Sequence, residues 1–380
     1  MCYLTYAEYP GGVFQGQVID ACRQLSELRG QPVKLVCLLS IRHFREGRRI
    51  IKDLYRNSIV LPMIPKKRWW RLNILLLLPL LLLAGRPACV CRGVFATLLA
   101  IRARGWGLFS RVVYDGRGAI AAELDEYYVT PDEYVKKNIR DWERTAVLSA
   151  DFRNAVSEQL VNYWRDEFGY REDAHVIIPC TINRVFEKIA AERSGTGDSA
   201  PAKRGLTYVY SGSVAGWQSL DRICAVLDGI LRADVQARAV FYSKTCPPIE
   251  DLATRYPDRV ERHWIDHEEL PERLAQADIG LLVRDSSVTN RVAAPTKFAE
   301  YLACGLRVIV SEHLGDYTEF VRRHRCGVVA NDTSIDIESL QEAFKSSCNP
   351  AALCLEYFTK NSEGVKSAYR KILGRVEFQR

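Results

Sequence analysis

Short apolar strands alternating with amphipathic helices, once in each half of the chain, predict an α/β protein of two doubly wound parallel-sheet domains. Two further observations set the number of domains. At 380 residues the chain is long enough for two cores of ordinary size. Its polar stretch without an apolar period, 187–205, falls near the middle. With 48% apolar and 26% charged residues, the composition excludes a disordered chain.

In the first half, strand 3–6 leads through Pro10-Gly-Gly-Val-Phe14 into a helix over 17–28. Strands follow at 33–39, 59–62, 88–91, 112–114, 145–149 and 175–178. A helix is expected over 154–168, where Val156, Leu160, Val161, Trp164 and Phe168 share one face. The boundary is placed near Thr181-Ile-Asn183, giving domains of 1–182 and 183–350, with 187–205 read as an exposed loop. Second-half strands are expected at 206–210, 237–242, 260–265, 279–283, 308–311 and 327–329. Ligands of such sheets gather at the carboxyl ends of the strands, so the two domains are expected to face each other across a cleft.

A net charge of +7 is modest, and only Lys66-Lys-Arg-Trp-Trp-Arg71 joins dense basic charge to aromatics. This argues against nucleic acid as a partner. The cluster runs into an apolar stretch, 72–84, so a membrane surface is the better partner, with Trp69 and Trp70 as contacts. Thirteen residues broken by Pro79 are too few for a span of ~20. Two readings of the stretch stand: a helix buried under the first sheet, or an in-plane membrane contact. The opening Met1-Cys-Tyr-Leu-Thr-Tyr6 carries no basic region before an apolar one, which predicts a cytoplasmic protein, on the membrane reading peripheral to the inner face of the plasma membrane. The 12 cysteines have no paired spacing and read as reduced structural thiols.

The densest motif is Ala277-Asp-Ile-Gly-Leu-Leu-Val-Arg284, then Ala294-Pro-Thr-Lys-Phe-Ala-Glu-Tyr-Leu-Ala-Cys-Gly305 and Leu306-Arg-Val-Ile-Val-Ser311. It reads as strand, loop, helix, strand. Backbone N–H groups at the helix start, around Pro295, Thr296 and Lys297, together with the lysine, suit a diphosphate. One turn on, Glu300 is placed to accept hydrogen bonds from two ribose hydroxyls.

These residues resemble the nucleotide-sugar-binding segment of GT-B glycosyltransferases, most closely family 4. The resemblance implies two Rossmann-like domains, an acceptor-binding domain first and a donor-binding domain second, with the last helix, 351–380, returning to the first. It implies that Glu300 binds the donor ribose. Many members carry a second Glu where this chain has Val292, which leaves its donor-sugar contacts to Arg284, Asn290 or Arg291. The loop in Tyr208-Val-Tyr-Ser-Gly-Ser-Val-Ala-Gly-Trp217 is where the family approaches the phosphates, here through Gly212 and Ser213. No Lys or Arg follows until Arg222, so Lys297, Arg284 or Lys244 must supply the charge. Gly12 of the first domain would face the same phosphates, and Trp264 and Ile265, in His263-Trp-Ile-Asp-His267, would meet the base.

Tyr114-Asp-Gly-Arg-Gly118 has two readings. One is an ion pair that organises a loop. The other is a catalytic group, Arg117 orienting the acceptor or a phosphate while Asp115 or Glu123 serves the acceptor hydroxyl. Arg92 is a further cationic candidate.

No Asp-x-Asp occurs at a strand end. The acid alternation Asp336-Ile-Glu338 opens a late helix, so no metal or other cofactor is expected and fixed dipoles and cations take that part. The expectation is therefore a transferase acting on a nucleoside-diphosphate sugar and a glycan or lipid-linked acceptor in cell-surface polysaccharide synthesis. Family 4 implies retention of anomeric configuration. The alternatives are a catalytically silent subunit and a sugar-nucleotide epimerase, the latter disfavoured by only six histidines.

Overall fold

The computed structural model describes residues 1–65, 67–83, 85–128, 130, 132–195, 205–266, 268–332, 334–335, 340, 342–343 and 347–377. Expectations for Lys66, Ala84, 196–204, His267 and Asp336-Ile-Glu338 lie outside these residues. The chain divides into two compact units, Met1–Pro179 with Glu363–Arg380, and Cys180–Ser362.

Seven strands build the first unit: β1 (Cys2–Tyr6), β2 (Lys34–Leu39), β3 (Ser58–Pro62), β4 (Cys89–Arg92), β5 (Val112–Asp115), β6 (Phe152–Ala155) and β7 (His175–Ile177). Six build the second: β8 (Thr207–Ser211), β9 (Arg238–Tyr242), β10 (Val260–His263), β11 (Ile279–Leu282), β12 (Arg307–Ser311) and β13 (Gly327–Ala330). Their orders are β3-β2-β1-β4-β5-β6-β7 and β10-β9-β8-β11-β12-β13. Every pairing between these strands is parallel. Strand order reverses between β1 and β4 and between β8 and β11, the two places where such sheets open a crevice at their carboxyl ends.

The first core takes in Tyr3, Leu35, Cys37, Val90 and Val113, together with Val365, Ala368, Tyr369, Ile372 and Leu373 from the Glu363–Glu377 helix. The C-terminal helical stretch, read as one segment from 351, is two helices. Pro350–Tyr357 stays in the second unit, and only Glu363–Glu377 completes the first.

Three further expectations are corrected. Residues 145–149 end a helix, Glu133–Ser149, and the strand is Phe152–Ala155. That strand buries Arg153 and Asn154, so its apolar signal is weak. It is tolerated because Arg153 Nε donates to Val147 O at 2.6 Å and Asn154 Nδ2 to Asp115 Oδ1 at 2.8 Å. The following helix therefore starts later, at Glu158, capped by Ser157. Residues 187–194 are helical within Arg184–Ser194, where the Asn183 side chain accepts from the N–H groups of Val185 and Phe186 and the helix buries Phe186 and Ala190.

The third concerns the apolar run, where Ile74–Leu83 is a helix despite Pro79. Trp70 is only 4% exposed, its ring edge-on to Phe95 and Trp142, so it belongs to the core and cannot meet a membrane. Trp69, at 45%, remains outside with Leu72 and Leu75. No helix of the described residues is long and apolar enough to cross a membrane.

Candidate functional site

β8 and β11 end side by side at the second reversal, and each hands on to a short polar turn. After β8, Gly212 holds φ at +137°, and a Cβ there would overlap Lys297 Cε and Nζ. Glycine is thus required by both the backbone and the lysine that lies across it. After β11, the Arg284 N–H donates to Ser311 Oγ at 3.0 Å, which turns the chain so that the guanidinium runs back under the β8 loop.

The Thr296–Ala303 helix brings the third part. Tyr301 lies on Gly280 of β11, where any Cβ would overlap its ring, and its hydroxyl accepts from Ser211 N at 3.0 Å. Phe298 stacks on Tyr317 with centroids 4.2 Å apart. With both anchors made, the helix start sits over the strand ends. Its N-cap, Pro295, offers no side-chain hydrogen bond, so the first turn, Thr296 included, keeps its N-terminal dipole without a protein cap.

Lys297 and Arg284 meet on one atom. Gln218 Oε1 accepts from Lys297 Nζ at 2.8 Å and from Arg284 Nη2 at 3.1 Å. Lys297 Nζ also donates to the Tyr210 hydroxyl at 3.1 Å and lies over that ring, 4.4 Å from its centroid. Arg284 Nη1 donates to Asn290 Oδ1 at 3.3 Å. Burial, then the nearby Arg284 charge, lowers the Lys297 pKa well below the ordinary lysine value, against a smaller pull from Glu300. Burial raises Glu300 to about 7, Lys297 opposing. Two cations and one carboxylate of shifted pKa beside a helix start form a place that favours an anion with hydroxyls attached.

The structure thus joins Gly212, Arg284, Lys297 and Glu300. Ser213 is exposed, with its carbonyl accepting from the Tyr210 hydroxyl at 2.6 Å. Trp264 and Ile265 follow β10, two strands from β8. Trp264 is exposed, with Lys244 Nζ 5.7 Å from its ring centroid. Val292 is buried and Arg291 exposed, leaving Arg284 and Asn290 as the buried polar pair of that loop. Gln218, Tyr210 and Asn290 carry hydrogen bonds that sequence reasoning missed or left unassigned. A glutamine in a 3-10 turn has no periodic signal, and the only hint was the missing basic residue after Gly212.

In the first unit, Gly12 opens a short helix after β1. Asp115, at the end of β5, is saturated. Arg117 reaches it through Nε at 3.0 Å and Nη2 at 3.1 Å, Asn154 at 2.8 Å, Arg92 Nη1 at 3.8 Å, and the Tyr3 hydroxyl donates to it as well. Burial pushes its carboxyl up, but Arg117, Arg92 and the two neutral donors together hold it below the ordinary value. A carboxylate so held fits the loop-organising reading of Asp115. Arg92 in turn donates through Nε to both oxygens of Glu8, at 2.9 and 2.8 Å. Glu123 is partly buried, with a pKa raised by burial.

No protein-family model matches the chain, and no curated protein does. Solved structures do. Sucrose-phosphate synthase from Thermosynechococcus elongatus aligns over 98% of this chain and 100% of its own at 16% identity and a TM-score of 0.66. Anabaena HepE in complex with UDP aligns over 98% of both chains at 14% identity and 0.67, and HepE is also solved with UDP-glucose. A Listeria monocytogenes protein assigned as a UDP-N-acetylglucosamine 2-epimerase aligns over 98% of this chain and 94% of its own at 10% and 0.56. At these identities the likeness concerns the fold: two parallel-sheet α/β units, as in GT-B glycosyltransferase structures.

Proposed function

We propose that this chain is a glycosyltransferase that moves a sugar from a nucleoside-diphosphate sugar to a hydroxyl of a glycan or lipid-linked acceptor. The observation that carries the reading is the meeting of Lys297 and Arg284 on Gln218 Oε1 at the β8–β11 reversal, beside an uncapped helix start. In this reading the phosphate oxygens are held by the two cations and the N–H groups of the first turn, and Glu300 accepts from the ribose hydroxyls. As the bond from the sugar to the diphosphate breaks, negative charge grows on the phosphate. Cations already in place stabilise it without reorganising.

UDP is the first base to test, given the ligands of HepE. Metal-independent transfer with retention, through a leaving phosphate that takes the acceptor proton, fits a site whose positive charge is lysine, arginine and helix. Arg117, with Asp115 or Glu123, is the first-unit group that would serve the acceptor. The pathway in this reading is cell-surface polysaccharide synthesis on the cytoplasmic side of a membrane. Trp69, Leu72 and Leu75, with Arg71 and with Arg68 stacked over Trp69 at 5.8 Å, would rest on the lipid.

Calorimetry with UDP, GDP and ADP, on the wild type and Glu300→Ala, tests the donor site. Micromolar binding of one nucleotide, weakened tenfold or more by the substitution, is expected, about 1–3 kcal/mol for lost hydrogen bonds to a charged group. Equal binding by both proteins refutes the placement. Release of sugar from the donor only when an acceptor is present distinguishes a transferase from an epimerase or a silent subunit. Sedimentation with anionic vesicles, reduced in Trp69→Ala, tests the membrane contact.

A further inference from the structure

We propose that Gln218 is a positioning residue that holds Lys297 and Arg284 together as one anion-binding site, and that its being an amide and not an acid leaves their shared contact without a built-in counter-charge. The inference rests on the donor reading above and adds what sets the charge of the pocket.

Gln218 is 7% exposed and Arg284 is 6% exposed, so the contact between them is largely shielded from solvent. The turn that carries Gln218 is pinned on both sides. The Gln218 N–H donates to Ala215 O at 2.9 Å. Next to it, Ser219 takes φ +51° and exchanges two hydrogen bonds with Asp285 in the turn that follows β11. Its hydroxyl donates to Oδ1 at 2.8 Å, and the Asp285 N–H donates to its Oγ at 3.0 Å. The amide is therefore delivered to one point between the two cations.

Lys297 Nζ donates to two neutral oxygens, those of Gln218 and Tyr210, with a guanidinium close by. Like charges in a poorly solvated place repel. A carboxylate at 218 would relieve that repulsion at the same oxygen position and would do so permanently, cancelling what attracts a phosphate. An amide oxygen accepts both hydrogen bonds while bringing only a partial charge. The point where the two side chains meet thus carries no counter-charge of its own, Glu300 being the carboxylate nearby, a stability cost of the kind tolerated at functional sites.

The test compares the wild type with Gln218→Glu and Gln218→Met, using UDP and inorganic pyrophosphate as probes and thermal unfolding as the second readout. Gln218→Glu is expected to weaken both probes at least tenfold while raising Tm. Gln218→Met, which removes the shared acceptor, is expected to weaken both probes severalfold and lower Tm. Opposite signs of affinity and stability in the Glu variant are what a merely structural residue would not produce. A Glu variant that binds within twofold of wild type, that loses Tm along with affinity, or that fails to fold overturns the role of Gln218 and leaves the donor reading standing if the wild type binds UDP. A wild type that binds neither probe overturns both.

Discussion

Each unit gathers charge where its strand order reverses, and the two clusters are balanced differently. In the first, Arg117, Asp115, Arg92 and Glu8 alternate in sign, and the carboxylate at the centre accepts hydrogen bonds from Tyr3, Asn154 and Arg117 with Arg92 paired beside it. In the second, a lysine and an arginine converge on a neutral amide. Alternation satisfies its members within the fold, and Asp115 accordingly stays ionised below the ordinary range. Convergence leaves Lys297 lowered and Glu300 raised. Buried ionic groups are therefore no guide to a site by themselves, and the useful signal is whether their charges are mutually answered.

The largest expected effect comes from breaking the balanced cluster. Asp115→Ala removes the carboxylate between Arg117 and Arg92, leaving Arg92 to Glu8 alone, and should cost about 3–5 kcal/mol in urea unfolding. UDP binding by the protein that remains folded should be unchanged. Lys297→Met should do the reverse, weakening UDP tenfold or more in calorimetry, about 1–3 kcal/mol, with no loss of stability, since an ammonium held at a depressed pKa is removed. A destabilised Lys297→Met beside an indifferent Asp115→Ala would invert the comparison.

Gly212→Ala forces a side chain onto Lys297 at a left-handed φ and should weaken UDP by about 1–3 kcal/mol while changing stability by a similar amount.

The smallest effect sharpens the contrast with a third buried acid. Glu143 accepts the N–H groups of Ile120 and Ala121 at 3.3 and 2.8 Å, and burial lifts it to about 8 in spite of them, with Glu123 adding to the rise. Its folded value lies above the unfolded one. The stability it contributes is full at low pH and is lost as pH rises from about 4.5 through about 8. Unfolding of Glu143→Gln followed across that window should show a flatter dependence than wild type.

Much of this architecture was legible because its signals are local. The apolar runs at β1, β2, β8, β11 and β12 are continuous, as strands covered on both faces must be. The helix carrying Lys297 and Glu300 is announced by Pro295 before it and Gly305 after it. What failed depended on contacts distant in sequence. Arg153 and Asn154 hide a strand because a helix end and Asp115 satisfy them. Arg184–Ser194 hides a helix because two buried residues, Phe186 and Ala190, suffice where neighbouring helices supply the rest of the packing. Trp70 read as a membrane residue from its neighbours in sequence, and only Phe95 and Trp142 show otherwise. Gln218 could not be found, since an amide in a loop gains meaning only from the two cations the fold brings to it.

The Glu363–Glu377 helix completes the core of the first unit from the far end of the chain. During synthesis, then, the first sheet must wait for a helix made after the whole second unit, while that contiguous second unit can close as soon as it has left the ribosome. At about 5–20 residues per second, the 183 residues from Cys180 to Ser362 mean a delay of roughly ten to forty seconds with part of the first core uncovered. A premature stop between the second unit and this helix would therefore damage the unit that precedes both.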